Sequence, residues 1–248
     1  MTIQSVLSQK YEHLEYIVID GGSTDGTKEV LEKYRPMLSY VLSEPDNGPF
    51  DAMNKGIRLA TGDIIGIINA DDWYAEHSFQ QVATLYARDP SMEVMCGYIR
   101  YWEGNTSGKL GFAHPKRLRK EMSVNHPSVF VSSETYKRLG VFDLQYRLAS
   151  DYELMLRFYL NGCKFAVIEE VIANMRLDGL SDRHWKKSLK ELYEIKKRYL
   201  HFIPSTLEYG EIFLKEYTVR KLKKAGWYSL YKSYKNGLGM LSGKGKRF

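Results

Sequence analysis

The sequence predicts an α/β protein: a doubly wound, mixed but mainly parallel sheet flanked by helices, with a basic helical extension at its C-terminal end. Three observations carry this expectation. Short Val/Ile-rich runs alternate with segments of helical periodicity. Each early apolar run stops at a polar, Gly-containing turn. The charge balance also reverses near residue 183: residues 1–182 carry 19 Lys+Arg against 25 Asp+Glu, and residues 183–248 carry 17 against 5. Two segments follow, a domain at 1–182 and a basic aromatic tail at 183–248.

Taken in order, Thr2–Lys10 places Ile3, Val6 and Leu7 at helical spacing. Tyr16–Ile19 is a buried strand, ended by Asp20-Gly21-Gly22-Ser23-Thr24-Asp25-Gly26, where Ser23, Thr24 or Asp25 can cap the helix Thr27–Tyr34. Leu38–Leu42 is a strand, Glu44–Pro49 a loop and Phe50–Ala60 a helix. The run Ile64-Ile65-Gly66-Ile67-Ile68 fits a central parallel strand. It stops at Asn69-Ala70-Asp71-Asp72-Trp73. Helix Glu76–Ala87, strand Val94–Tyr101, strand Val129–Val131, helices Ser133–Leu139 and Asp151–Leu160, and strand Phe165–Val171 complete the domain. In the tail, helices are expected over Trp185–Phe202 and Leu207–Tyr234, with a frayed end from Gly237.

Composition narrows the class further. The 248 residues are 44% apolar and 13% aromatic, enough for a packed core and too apolar for wholesale disorder. No apolar stretch reaches the roughly 18 residues of a membrane span, and no secretory signal pattern opens the chain. Cys96 and Cys163 lack metal-ligand spacing and read as reduced core residues, so the expected location is cytoplasmic.

The chemistry concentrates in the turns. Adjacent carboxylates at the end of a buried strand repel one another, and a divalent cation relieves that cost. Asp71-Asp72 is therefore a candidate grip on a metal–diphosphate, against the plain alternative that Asp72 caps the next helix. The turn at Asp20–Gly26 is neither a dinucleotide fingerprint nor a phosphate loop. In doubly wound sheets the loops after strand C-termini form the ligand crevice, so both acidic turns are expected to meet one ligand.

The ordered strings Ile3–Tyr11, Glu15–Thr27, Ser43-Glu44-Pro45-Asp46-Asn47-Gly48-Pro49-Phe50-Asp51-Ala52-Met53-Asn54-Lys55-Gly56, Ala60–Asp63 and Asn69–Trp73 resemble the inverting family 2 glycosyltransferases of the GT-A fold. The resemblance covers about residues 2–180. It implies sugar transfer with inversion from a nucleotide-sugar, usually a UDP-sugar, to a saccharide or lipid-linked acceptor, as in polysaccharide or glycolipid assembly. The donor-binding residues it implies are Asp20, at the nucleobase, with Gly48, Asp51 and Asp71, while Asp72 ligates Mg²⁺ or Mn²⁺. Many members carry a second acid where this chain has Gly21. Ala149-Ser150-Asp151-Tyr152-Glu153-Leu154 resembles the family's base site and makes Asp151 the expected catalytic base, with Glu153 in reserve. A base at a helix N-terminus is weakened by the dipole unless burial offsets it. His126 and His184 are candidate acceptor-side and loop residues.

Most relatives open with a strand and turn ahead of the first helix, whereas this sequence opens inside that helix. The expectation is an incomplete sheet whose flanking strands lack ladder partners. That accompanies a start placed too late, a trimmed chain, or a non-catalytic remnant with impaired donor binding, the last being the alternative to an active enzyme. In the tail, Lys186, Lys187, Lys190, Lys196, Lys197 and Arg198, then Lys215, Arg220, Lys221, Lys223 and Lys224, interleave with Trp227, Tyr228, Tyr231 and Tyr234. Such a face suits peripheral contact with an anionic membrane or a solvated helical pair packing its aromatics. No nucleic-acid fold accompanies the charge.

Overall fold

The computed structural model describes residues 1–177, 179, 183–200, 210, 213–214 and 217–222. The chain forms two compact units, Met1–Ile195 and Lys196–Phe248. The boundary thus lies beyond the expected 182/183 break. The reason is packing: Glu191 and Ile195, in the basic segment, are buried in the first unit.

In chain order the first unit holds α1 (Thr2–Leu7), β1 (Ile17–Asp20), α2 (Thr27–Tyr34), β2 (Tyr40–Ser43), α3 (Pro49–Leu59), β3 (Ile64–Gly66) and β4 (Trp73–Tyr74). There follow α4 (Ser78–Arg88), β5 (Val94–Glu103), β6 (Thr106–Gly111), β7 (Val129–Ser132), α5 (Ser133–Leu139), α6 (Ser150–Leu160) and β8 (Phe165–Arg176). Helix α7 (Trp185–Leu200) starts in this unit and crosses the boundary. Most of the expected helix Leu207–Tyr234, and all of the segment from Gly237, lie outside the described residues.

The fold is mixed α/β, with strands flanked by helices. The strands fall into two sheets, a β1–β2 pair and a six-stranded sheet ordered β3-β7-β5-β8-β4 with β6 beside β5. Parallel ladders are β5–β8, with nine register pairs, and β1–β2, with four. The antiparallel ladders β5–β6, β3–β7, β5–β7 and β4–β8 have four, three, three and two. The run expected as a central parallel strand is instead a three-residue strand at the end of the sheet, paired antiparallel with β7. Its apolar character comes from core contact: Ile64 and Ile68 pack on the central cluster.

That cluster is Val6, Tyr74, Val82, Met95, Ile99, Phe130, Ile172 and Ala173. The main seam, β5 on β8, needs a close approach at Gly97, where a Cβ would lie 3.1 Å from the Glu170 carbonyl and press into Ile172. The cysteines are buried and free, and burial pushes the Cys96 thiol up to about 12.

β3, β5 and β8 run in one direction, since each pairs antiparallel to β7 or parallel to a strand that does. Glu15, just before β1, accepts the Thr61 N–H (2.8 Å) and hydroxyl (3.0 Å), just before β3. The starts of β1 and β3 therefore lie beside each other. β1 and β3 each keep one edge without a strand partner among the described residues.

Candidate active site

At the end of β1 the buried Asp20 is the peg of its own turn. Its oxygens accept the Ser23 N–H (3.1 and 3.3 Å), the Ser23 hydroxyl (2.5 Å) and the Ser43 hydroxyl (2.6 Å). Burial alone would raise its pKa, but these bonds outweigh it and hold the carboxyl below its usual range. The neighbouring loop is closed by Gly48, at φ 115° the N-cap of α3. Asp51 secures the same bend by accepting the Asn47 N–H at 3.0 Å. Asp20, Gly48 and Asp51 thus share one corner at the end of the β1–β2 pair.

The second acidic turn is organised differently. The Thr2 hydroxyl, from α1, donates to the Asp72 carbonyl at 2.7 Å and also contacts the Ala70 carbonyl. Asp71 stays exposed, while Asp72 is 4% exposed. Its Oδ1 accepts the Arg176 N–H at 3.0 Å, from the last residue of β8. Burial, opposed by that bond and assisted by Asp71, pushes Asp72 up to about 6. The Arg176 guanidinium lies 5.5 Å from the Trp73 ring, which packs at 5.3 Å on Trp102 from β5. Two hard oxygen donors, one sunk in apolar walls, suit a small divalent cation completed by phosphate oxygens. No cluster of three or more His, Cys, Asp and Glu occurs among the described residues, and such a cation needs none.

The third group surrounds the start of α6. Asp151 is the second helical residue, and its Oδ1 accepts the Tyr152 N–H at 2.8 Å. Burial overcomes that bond and, with nearby Glu191, pushes its pKa up to about 6. The helix dipole, which lowers a carboxylate's pKa at this position, is therefore outweighed by desolvation. Glu191 of α7 accepts the Leu148 and Ala149 N–H groups at 2.7 and 3.0 Å, fixing the entry to α6. His126 rests 5.5 Å from Phe142, and burial drops its pKa to about 4, leaving a neutral ring.

Two expected residues stand apart. Glu153 is buried and its carboxylate is held by Arg157, at 2.8 and 3.0 Å. Arg157 also reaches the Val141 carbonyl at 2.7 Å, so this pair serves as a structural strut. His184 is exposed, and its carbonyl accepts the Lys187 and Ser188 N–H groups at the start of α7. No hydrogen bond or ion pair joins Asp20, Asp72 and Asp151 directly. A cleft of about 380 Å³, lined by Asp63, Glu93, Ser132 and Arg138, lies by the starts of β3 and β5. Arg176, Trp102 and Glu191 escaped the sequence reading, because each meets its partner across at least 29 residues of chain with no local motif to mark it.

The profile of Glycosyl transferase family 2 matches residues 1–137, more than half of the chain. The chain belongs to that family. It is 30% identical over 207 residues to the uncharacterized glycosyltransferase Rv1514c of Mycobacterium tuberculosis, covering 80% of this chain and 79% of the relative. A second relative, the PGL/p-HBAD biosynthesis glycosyltransferase of Mycobacterium bovis, is 27% identical over 164 residues, 64% of this chain and 63% of that one. Among solved structures, the mannosyltransferase PcManGT of Pyrobaculum calidifontis, in complex with GDP-Man and Mn²⁺, superposes with a TM-score of 0.62 at 17% identity. That match covers 96% of this chain and 75% of the other. S. aureus TarS 1–349 in complex with UDP-GlcNAc gives 0.59 at 20% identity, over 78% and 59%. The chain spans 40% of the longer TarS chain, with a TM-score of 0.61 at 19% identity over 89% of this chain. These likenesses establish the GT-A fold. The family 2 chain is a glycosyltransferase, and among its described residues no helix is long and apolar enough to cross a membrane.

Proposed function

We propose that this glycosyltransferase moves a sugar, with inversion, from a nucleotide-sugar to a hydroxyl of a saccharide or lipid-linked acceptor. The observation that carries the reading is Asp151, a carboxylate raised to about 6 at the start of α6. That value lies near neutrality, where a carboxylate is both ionised and basic enough to take a proton.

In the step proposed, Asp151 accepts the acceptor's hydroxyl proton while its oxygen attacks the anomeric carbon. The bond from that carbon to the diphosphate oxygen breaks, and its electron pair leaves with the nucleoside diphosphate. Asp20, Gly48 and Asp51 shape the donor corner, and Asp71 faces the ribose or diphosphate. Asp72 would hold Mg²⁺ or Mn²⁺, whose charge stabilises the departing diphosphate. The solved neighbours, one with GDP-Man and Mn²⁺ and one with UDP-GlcNAc, support a nucleotide-sugar donor. Glycolipid assembly is favoured by the relative named for PGL/p-HBAD biosynthesis. Peripheral contact of the basic residues with a membrane face at a cytoplasmic site completes the reading, and nucleic acid has no place in it.

The test is transfer, followed with radiolabelled UDP-sugars and Mn²⁺ on a lipid-linked saccharide pool. Labelled product whose anomeric configuration is opposite to the donor's is expected. Retained configuration, or transfer unaffected by Asp151→Asn, overturns the mechanism.

A further inference from the structure

The donor corner contains a carboxylate to which no role has yet been given. The register of β1 and β2 sets Asp20 beside Ser43, so the turn after β1 and the loop after β2 leave the pair side by side. Asp20 spends its oxygens on Ser23 and Ser43. Gly21, the next residue, carries no side chain, and its empty position is filled from the other loop. A Cβ built there would lie 3.0 Å from Asp46 Cγ and 3.3 Å from Oδ1, with Oδ2 closer still.

Asp46 is also pinned. Its Oδ1 accepts the Gly48 N–H at 2.8 Å. Lys55 of α3 grips the same loop, reaching the Pro45 carbonyl at 3.1 Å and Glu44 at 2.8 Å. The half-buried carboxylate therefore cannot swing away freely, and its Oδ2 accepts no hydrogen bond from the described residues.

We propose that Asp46 reads the nucleobase of the donor, its Oδ2 accepting the single ring imino N–H of uracil. This rests on the proposal that the donor is a nucleotide-sugar. Asp20, by contrast, is a positioning residue that holds the turn on which Asp46 leans. The choice of base follows from donors and acceptors. One open carboxylate oxygen matches one imino N–H, whereas guanine offers adjacent ring and amino donors suited to a carboxylate with both oxygens open. Cytosine presents a ring acceptor at the same place and is repelled by the carboxylate.

The test is calorimetric titration of the full chain with UDP, GDP and CDP in the presence of Mn²⁺. The parent is expected to bind UDP about tenfold or more tightly than CDP, the scale of one hydrogen bond to a charged group. Asp46→Asn should weaken UDP about tenfold and move preference towards CDP, because its amide N–H can donate to the cytosine ring nitrogen. A double variant, Gly21→Asp with Asp46→Gly, returns a carboxylate to the same space and should restore UDP preference, which separates loss of recognition from loss of fold. Unchanged UDP binding and preference in Asp46→Asn would overturn the assignment, as would tighter binding of GDP than UDP by the parent. Failure of the parent to bind any nucleoside diphosphate would instead remove the donor reading beneath it.

Discussion

Asn54 clamps the backbone of Phe142 with both ends of its amide: Nδ2 donates to the Phe142 carbonyl and Oδ1 accepts the Phe142 N–H, each at 2.9 Å. The clamp is buried and joins α3, whose N-cap Gly48 belongs to the proposed donor corner, to the segment that leads into α6. Phe50 stacks on the same Phe142 ring at 5.2 Å, and His126 leans on it from another side. Asp143 then accepts the Ser150 hydroxyl on its carbonyl at 2.9 Å, one residue before Asp151. The proposed donor corner and the proposed base thus share one strut.

Removing that strut has a stated cost. Asn54→Ala strands a buried N–H and a buried carbonyl on Phe142, and unmet groups of this kind cost about 1–3 kcal/mol each. A loss of about 2–4 kcal/mol in urea unfolding is expected. A change below about 0.5 kcal/mol would mean that the clamp is replaceable by water.

The raised pKa of Asp151 has a signed consequence for stability. Its folded value, about 6, exceeds the usual carboxylate value, so the folded state binds this proton more tightly than the unfolded state. Stability contributed by the group is present at low pH and is lost as pH rises towards and through about 6. Asp151→Asn abolishes the loss and should be more stable than the parent at pH 8 by about 1–2 kcal/mol, allowing for partial solvent screening. Equal melting temperatures for variant and parent at pH 8 and pH 4 would refute the burial argument. In the parent, the acid limb of kcat/KM should fall near pH 6.

Glu153 provides the contrast. Its pairing with Arg157 is buried, and breaking such a pair from one side costs about 3–5 kcal/mol. Glu153→Gln should therefore lower the urea midpoint strongly while the acid limb of the pH–rate profile stays in place. Movement of that limb would transfer the role of base to Glu153.

Chelation tests the second acidic turn. EDTA should reduce transfer by about a hundredfold or more, and Mn²⁺ should restore it in the parent but not in Asp72→Ala. Restoration of the variant by Mn²⁺ would place the cation on other ligands.

How far the sequence could be read depended on whether the signal was local. β1 and its turn were plain, because Tyr16–Ile19 is apolar throughout and Gly21, Gly22 and Gly26 follow at once. β6 was missed: Thr106–Gly111 is largely exposed, contains Gly108, and is a strand only because β5 lies beside it. α1 was drawn too long, since Lys10 turns left-handed at φ 49°, and α4 too early, since His77 does so at φ 62°. Asp72 was legible as half of an acidic pair. Arg176, which orients it, was not, because 104 residues separate them in the chain. Asp46 carries no local signal of its own; its significance arises where a glycine in another loop makes room for it.

The edges of β1 and β3 that lack a strand partner among the described residues bear on handling as well as on architecture. A row of unanswered peptide groups is a docking rail for any extended polypeptide, including a neighbouring molecule. Self-association driven this way should grow with protein concentration and persist in high salt, because backbone bonding rather than charge sustains it. An excess of a short extended peptide should cap the rails and lower light scattering, whereas added salt should not.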